Sequence, residues 1–547
     1  MKMQRSPWLA VTAAALVAAS ATLSAQSNQV AGRDATLRIV DTFRSYGREG
    51  TYPNGGSAFA NGVTVCNVGV GDIGWYAPMN ADHPVYAPMV FRVVDDRIEQ
   101  LSGRSYVKHG FASINGSVCG SCGTSNGAIL GPNCSDTYGS GLNADRYWLG
   151  PPEEIDPWLG GWNPQGSLFD RGLPDVGFPQ NRDGSRSLTR AMSDALPATK
   201  HRVEVSDQEL LVPGARYYYG MYVVIAGEPG THRDNNWCFR EFRPVWNGAS
   251  WNATDLTNPA NGSPLSFWPG ARVTSASNGA DDGYFYVASK ITGPDARGLW
   301  HYEYAILNRD NHRGGAEFRI PMCPSARIEN LRFGDLDAST VNDWTVSRPN
   351  GELVLSTPTM TNTLDWNTMF NVSFDVDVGP VSGALEVTQA RTGPGSMNVS
   401  VPAQVPGIQF STHLGASCGA TGPSLRPTGA PPFAVLPNPS FGLAVDGANP
   451  ASSLVLLGSV RRLETPLGGS GCSLWLDPAF AETLVAVTAD AQGHARIGLP
   501  IPLQPALEGA DLTFQVVTPR AGGAVFGVAD LSNGLEIRIG NRTTGCR

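Results

Sequence analysis

Six histidines fall in one stretch of the chain: His83, His109, His201, His232, His301 and His312. Imidazole is the commonest metal ligand and the usual proton carrier near neutral pH. In Trp300-His-Tyr-Glu-Tyr-Ala-Ile-Leu307 the pattern is that of a strand. Successive strand side chains face opposite ways, so His301 and Glu303 share a face. An imidazole beside a carboxylate could hold a divalent metal or orient a proton transfer. The competing reading is an ion pair on a strand whose Tyr302 and Tyr304 fill the other face. His109 precedes Cys119-Gly-Ser-Cys122 and Cys134. These four residues could form a Cys₃His zinc site, but disulfides are the favoured fate of such thiols in an exported chain. His301, Glu303 and His109 are the candidate catalytic residues. His83, His109, His201 and His301 are the candidate ligands for zinc or copper.

Two other chemistries are written in the loops. Asp234-Asn-Asn236, Asn278-Gly-Ala-Asp-Asp-Gly283, Asp335-Leu-Asp337 and Asp375-Val-Asp377 offer the hard oxygens that calcium prefers, although turns use the same residues. Trp148, Trp158, Trp162, Trp237, Trp246, Trp251 and Trp268 crowd loop-rich sequence. Aromatic rings with neighbouring amides can stack on sugars or peptides and orient them. Trp237 with Asn235 and Asn236, and Trp158 with Trp162, are the candidate ligand-binding residues. Capping a sandwich core is the equal alternative for these rings. No nucleophile elbow, HExxH motif, Walker loop or dinucleotide-binding glycine turn is read from the chain.

The elements that would position these residues are strands. The 547 residues contain 64 Gly and 41 Pro, and charged residues are only 16 %, so long helices lack suitable windows. Short alternating runs bounded by Gly, Pro and Asn predict a mainly β, multi-domain protein. The expected units are a large β-rich, sandwich-like domain with long loops at 26–345, which would carry any site, a small antiparallel unit at 346–406 that packs against it or extends its sandwich, and a C-terminal β-sandwich at 407–547. The polar stretch 115–200 is an irregular excursion pinned by cysteines, with a helical turn expected near Ser187–Ala195. Residues 1–25 have the basic start, apolar centre and small-residue end of a secretory signal peptide. The nine cysteines would then meet an oxidising compartment; Cys418 with Cys472 is the favoured pair and Cys546 the expected odd thiol.

Lys108-His-Gly-Phe111, Cys134-Ser-Asp136 with Tyr138, and Trp300-His-Tyr-Glu-Tyr-Ala305 with Asn308 resemble motifs of a group of large secreted bacterial proteins. Thr137 stands where that pattern has proline. The C-terminal stretch resembles a terminal module of such exported proteins. The resemblance implies export and modularity, and it carries no activity or catalytic residue. A net charge of −9 argues against nucleic acid as a partner, and no membrane-spanning segment is expected in the mature chain. The expected function is extracellular or cell-surface binding of a ligand such as a glycan or peptide. The alternatives are a metal-dependent extracellular hydrolase or oxidoreductase, and a structural component of the cell envelope.

Overall fold

The computed structural model describes residues 30–541, apart from 77–78, 172–181, 281–282, 324–325, 338, 350, 408–410, 421, 430–433 and 508. The 1–25 leader, Cys546, Asp281 and Asp282 lie outside the described residues. The protein is mainly β, with 48 % strand and 7 % helix, as the short alternating runs predict. Among the described residues no helix is long and apolar enough to cross a membrane.

The chain divides into two units that are not contiguous in sequence. The first comprises Met1–Pro88, Ser105–Asp207 and Tyr218–Ser263. Its main sheet runs Val203–Ser206, Gly56–Asn67, Ala35–Glu49, Trp251–Asp255 and Trp237–Trp246 in spatial order. Gly56–Asn67 is made almost wholly of small residues and is buried along nearly its whole length, as a strand covered on both faces must be. Phe43 stacks on Phe59 and on Tyr219, each at 4.7 Å, giving this sheet an aromatic centre.

The 115–200 excursion belongs to this unit. Disulfides Cys66–Cys119 and Cys122–Cys134 pin its start. Those bonds consume three of the four residues of the conceivable zinc site, so His109 has no cysteine thiolates beside it. The expected helical turn is present at Arg190–Asp194, where the Thr189 hydroxyl accepts from Met192 N.

The second unit comprises Met89–Arg104, Gln208–Tyr217 and Pro264–Arg547. The small sheet expected at 346–406, which could pack against the preceding unit or extend its sandwich, does the latter. Thr368–Val376 pairs with Trp300–Asn308 along its full length, and Glu352–Ser356 and Pro380–Gln389 flank Gly315–Pro321. The physical reason is apolar cover. Tyr302, Tyr304 and Ile306 share a core with Leu353, Leu355, Leu385 and Val387, and neither group could be buried without the other. The domain break expected near 345 therefore falls inside a sandwich.

The last strands form a further sandwich. One sheet runs Ser411–Leu414, Gly534–Arg538, Asp511–Pro519, Ser453–Ser459 and Glu482–Thr488; a second runs Ser424–Thr428, Gly442–Asp446 and Ala495–Gly498. Leu443, Val445, Leu454, Leu456, Val516 and Leu535 fill its core. The expected Cys418–Cys472 bridge is present. Cys323 is also disulfide-bonded, and among the described residues the free thiol is Cys238. Burial pushes the Cys238 thiol up to about 12. A neutral, buried thiol is a poor nucleophile. Cys238 is expected to react with a thiol reagent only after denaturation; labelling followed by peptide mapping checks this.

Candidate functional site

Two of the sequence motifs meet in the interior of the first unit. Val107–His109 pairs with Val85 and Tyr86 on one side and with Leu149 and Gly150 on the other, while Ser135–Tyr138 joins the edge of Gly56–Asn67. The buried Lys108 Nζ donates to the His109 carbonyl at 2.6 Å. Its ammonium lies 4.3 Å from the Tyr138 ring centre, 4.6 Å from Phe111 and 5.7 Å from Trp148. Burial pushes Lys108 down to about 7, with Asp136 opposing. Burial likewise pushes Asp136 up to about 6. The Tyr138 hydroxyl accepts from Trp75 Nε1 at 3.0 Å and donates to the Ala112 carbonyl at 3.0 Å. A cavity of about 10 Å³ beside Lys108, bordered by Tyr106, Asn143 and His201, has room for about one water.

His83 and His109 form a hydrogen-bonded pair. His83 Nδ1 lies 2.6 Å from the Asn80 carbonyl and so carries the proton; His83 Nε2 then accepts from His109 Nδ1 at 2.8 Å. This assignment leaves His109 Nε2 bare. Gly150 packs over it so closely that a Cβ there would sit 2.7 Å from the nitrogen. Burial pushes His83 down to about 4 and His109 well below the ordinary imidazole range. The pair is a neutral core element. His201, another predicted ligand, stacks on Tyr106 at 3.8 Å. Among the described residues no group of three or more His, Cys, Asp or Glu is placed to hold a metal.

His301 and Glu303 lie in the second unit and share the strand face that alternation predicts. A third residue joins them from Thr368–Val376. His301 Nδ1 contacts Asp375 Oδ1 at 2.7 Å, and His301 Nε2 lies 3.7 Å from Glu303 Oε2. Asn330 Nδ2 donates to the other Asp375 oxygen at 2.6 Å. Glu303 and then Asp375 raise the imidazole above its ordinary range. Burial raises Asp375, but the bonds from Asn330 and His301 outweigh it and the net shift is downward. The cluster is an ion triad of one half-exposed imidazole and two largely buried carboxylates.

The predicted ligand-binding set is placed differently from an exposed surface. Trp237 and Asn236 are both 0 % exposed, and Trp162 is buried edge-on against His83 and His109. Asn236 Nδ2 donates to the Val223 carbonyl and to the Glu228 carboxylate, and Asn235 Nδ2 donates to Asp34 at 3.0 Å. Glu228 also accepts from Ala35 N at 2.7 Å, and burial pushes it up to about 7. Trp158 is half-buried under the Arg233 guanidinium, 4.8 Å from its ring centre. These asparagines tie the Arg233–Asn236 turn to the sheet, and Trp162 and Trp237 are core rings.

An exposed aromatic site lies instead at two hairpin tips of the first unit. The Thr51–Gly55 turn follows Ala35–Glu49, and Asn247–Ser250 joins Trp237–Trp246 to Trp251–Asp255. Tyr52, 40 % exposed, stacks on Trp246 at 4.4 Å with the rings 7° apart. The Arg48 guanidinium lies 4.7 Å from the same Trp246 ring, and Trp251 packs against Trp246 at 5.6 Å. The fully buried Asp207 carboxylate organises the group. It accepts from Arg48 Nη2 at 2.7 Å, Trp251 Nε1 at 2.8 Å and Gly55 N at 3.0 Å. Trp246 and Trp251 bracketing an Asn-Gly turn was the available signal; Tyr52 gave none.

Three strings in the sequence mimic catalytic motifs and are not those motifs in the fold. Gly69-Val-Gly-Asp-Ile-Gly74 fits GxGxxG but leads into the short strand Ile73–Gly74, with no helix N-terminus to receive a phosphate. Gly123-Thr-Ser-Asn-Gly127 and Gly415-Ala-Ser-Cys-Gly419 fit GxSxG but join no strand to a helix.

No family model matches the sequence, and no curated protein does. Among solved structures, the major pilin subunit of Bacillus cereus aligns over 59 % of this chain and 77 % of its own, at 11 % identity and a TM-score of 0.18. An Escherichia coli alpha-2-macroglobulin activated by porcine elastase aligns over 92 % of this chain at 11 % identity, with a TM-score of 0.13. The alignment covers 35 % of that macroglobulin's length. At these scores the likeness transfers no site and no activity.

Two outcomes follow from this geometry. A folded pKa near 4 for His83, below the free-imidazole value of 6.5, makes its contribution to stability full above pH 6.5 and lost as pH falls toward 4. Thermal melts of the wild type should fall over that window, and a His83→Gln variant should fall less. Removing the buried carboxylate in Asp207→Ala strands the Arg48 guanidinium and two N–H donors. The expected cost is about 3–5 kcal/mol in chemical denaturation.

Proposed function

We propose that this chain is an exported β-sandwich protein that binds a carbohydrate at the Tyr52 platform. The observation that carries the reading is an exposed tyrosine ring stacked flat on Trp246, in a turn whose Gly55 N–H is held by the buried Asp207 carboxylate. Sugar rings present C–H faces that pack on such a surface, and Asn247 Oδ1 holds the neighbouring tip in shape by accepting from Ala249 N and Ser250 N. A platform already held in place loses little freedom on binding. Disulfides Cys66–Cys119, Cys122–Cys134 and Cys418–Cys472 support an oxidising compartment, in keeping with the leader-like 1–25.

A flat ring favours a sugar over a peptide, because an extended peptide gains most from a groove or a free strand edge. The metal-dependent enzyme reading has less support. His83, His109 and His201 are engaged within the interior, and His301 faces two carboxylates rather than further imidazoles.

A glycan array followed by calorimetry on the full chain tests the proposal. Tyr52→Ala should weaken binding by roughly ten-fold or more, from the loss of one stacked ring. Its melting temperature should fall only modestly, because the ring is partly exposed and loses one stacking contact, worth about 0.5–1.5 kcal/mol. Absence of any glycan ligand, or equal binding by the variant, would overturn the assignment.

A further inference from the structure

In the C-terminal sandwich, Asp511–Pro519 and Ala529–Leu531 are joined through Ala521-Gly-Gly-Ala-Val-Phe-Gly-Val-Ala529. These nine residues include no polar side chain. Loops that face water are ordinarily polar. Here Phe526 is 73 % exposed and Val528 is 63 % exposed.

The tip is rigidly built. Phe526 has φ 50° and Gly527 φ 75°, the left-handed conformation at both central residues of a tight turn. Asn and Gly suit those positions, and a bulky ring there is strained. Strain of this kind persists where the surroundings enforce it. Val525 and Ala529 pack with Cys472 and Leu531, beside the Cys418–Cys472 bridge. The buried Asp530 accepts from Ala524 N at 2.8 Å and pairs with Arg520 at 2.9 Å.

The backbone of the tip is largely self-satisfied. Val525 N donates to the Ala529 carbonyl at 2.8 Å, Val528 N to Val525 at 3.0 Å, Gly522 N to Gly527 at 2.9 Å, and Arg520 N to Val528 at 2.8 Å. Internal pairing of this sort is what an apolar solvent demands of a backbone.

We propose that this loop is a lipid-inserting tip: Phe526 and Val528 enter the interfacial region of a bilayer and hold the C-terminal sandwich at a membrane surface. A protein partner is the poorer fit. Protein interfaces surround their apolar centre with hydrogen-bonding groups, and this loop offers no side-chain donor or acceptor. Arg520 is committed to Asp530, so the attachment is apolar and does not depend on anionic lipid. One aromatic and one aliphatic side chain give weak, reversible binding. The proposal is independent of the Tyr52 platform.

Flotation of the full chain with phosphatidylcholine vesicles tests it. The wild type should float, and added salt or phosphatidylglycerol should change the bound fraction little. Phe526→Asn relieves the strained turn, so its melting temperature should equal or exceed that of the wild type. Its lipid binding should fall by roughly ten-fold, as expected for losing one buried aromatic ring. Phe526→Asn with Val528→Ser should abolish flotation. Failure of the wild type to float, or undiminished flotation by Phe526→Asn, would overturn the proposal. So would a wild-type dimer in sedimentation velocity that Phe526→Asn converts to monomer without any lipid binding, since the tip would then serve a protein contact.

Discussion

The irregular part of this protein is held by polar side chains that serve the backbone. A loop without a ladder still has carbonyls that need donors once water is excluded. Arg146 donates to the Leu196 and Pro197 carbonyls at 2.7 and 2.5 Å. Arg202 reaches Ala144, Tyr46 and Ala198; Arg233 reaches Pro157, Trp158 and Glu228. Asn261 joins the carbonyls of Leu37, Asn235 and Trp237. Each of these side chains joins segments far apart in sequence. Arg146, Arg202 and Arg233, with two disulfides, hold the described parts of the long excursion, whose regular elements are all short.

That requirement explains what could and could not be read from the chain. Strands such as Trp300–Asn308 declare themselves by alternation, and the same alternation put His301 beside Glu303. Asp375 was invisible as their partner because strand order is a long-range property; the residue arrives from a strand some seventy positions later. Asn235, Asn236 and Trp237 had the composition of a ligand site. In the fold they have the job of Arg233 and Asn261, supplying donors and apolar cover to a turn. Local sequence cannot separate an amide meant for a ligand from one meant for a carbonyl.

Of the two arrangements open to the 346–406 strands, the extended sandwich is the one adopted, for a related reason. Composition changes near 345, but burial does not. The inner faces on both sides of that point share Phe318, Phe370 and Leu385 in one core. The Cys418–Cys472 pair was legible because both residues lie in one sandwich. The His83–His109 pair was not, since two isolated histidines 26 positions apart give no hint that their rings will touch. Tyr52 was hidden by its surroundings in sequence, a Thr-Tyr-Pro-Asn-Gly turn of ordinary appearance.

Cys119 and Cys122 stand three positions apart yet bond in different directions, one to Cys66 and the other to Cys134. Four cysteines admit three pairings, and the vicinal alternative, Cys119 with Cys122, is the shortest loop of them all. Local oxidation ahead of sheet formation would favour that shortcut, because loop closure is least costly for near neighbours. Faithful maturation thus asks for thiol–disulfide exchange while the strand bearing Cys66 takes its place. Recombinant material made in a reducing cytosol and oxidised afterwards would be heterogeneous at these four sulfurs.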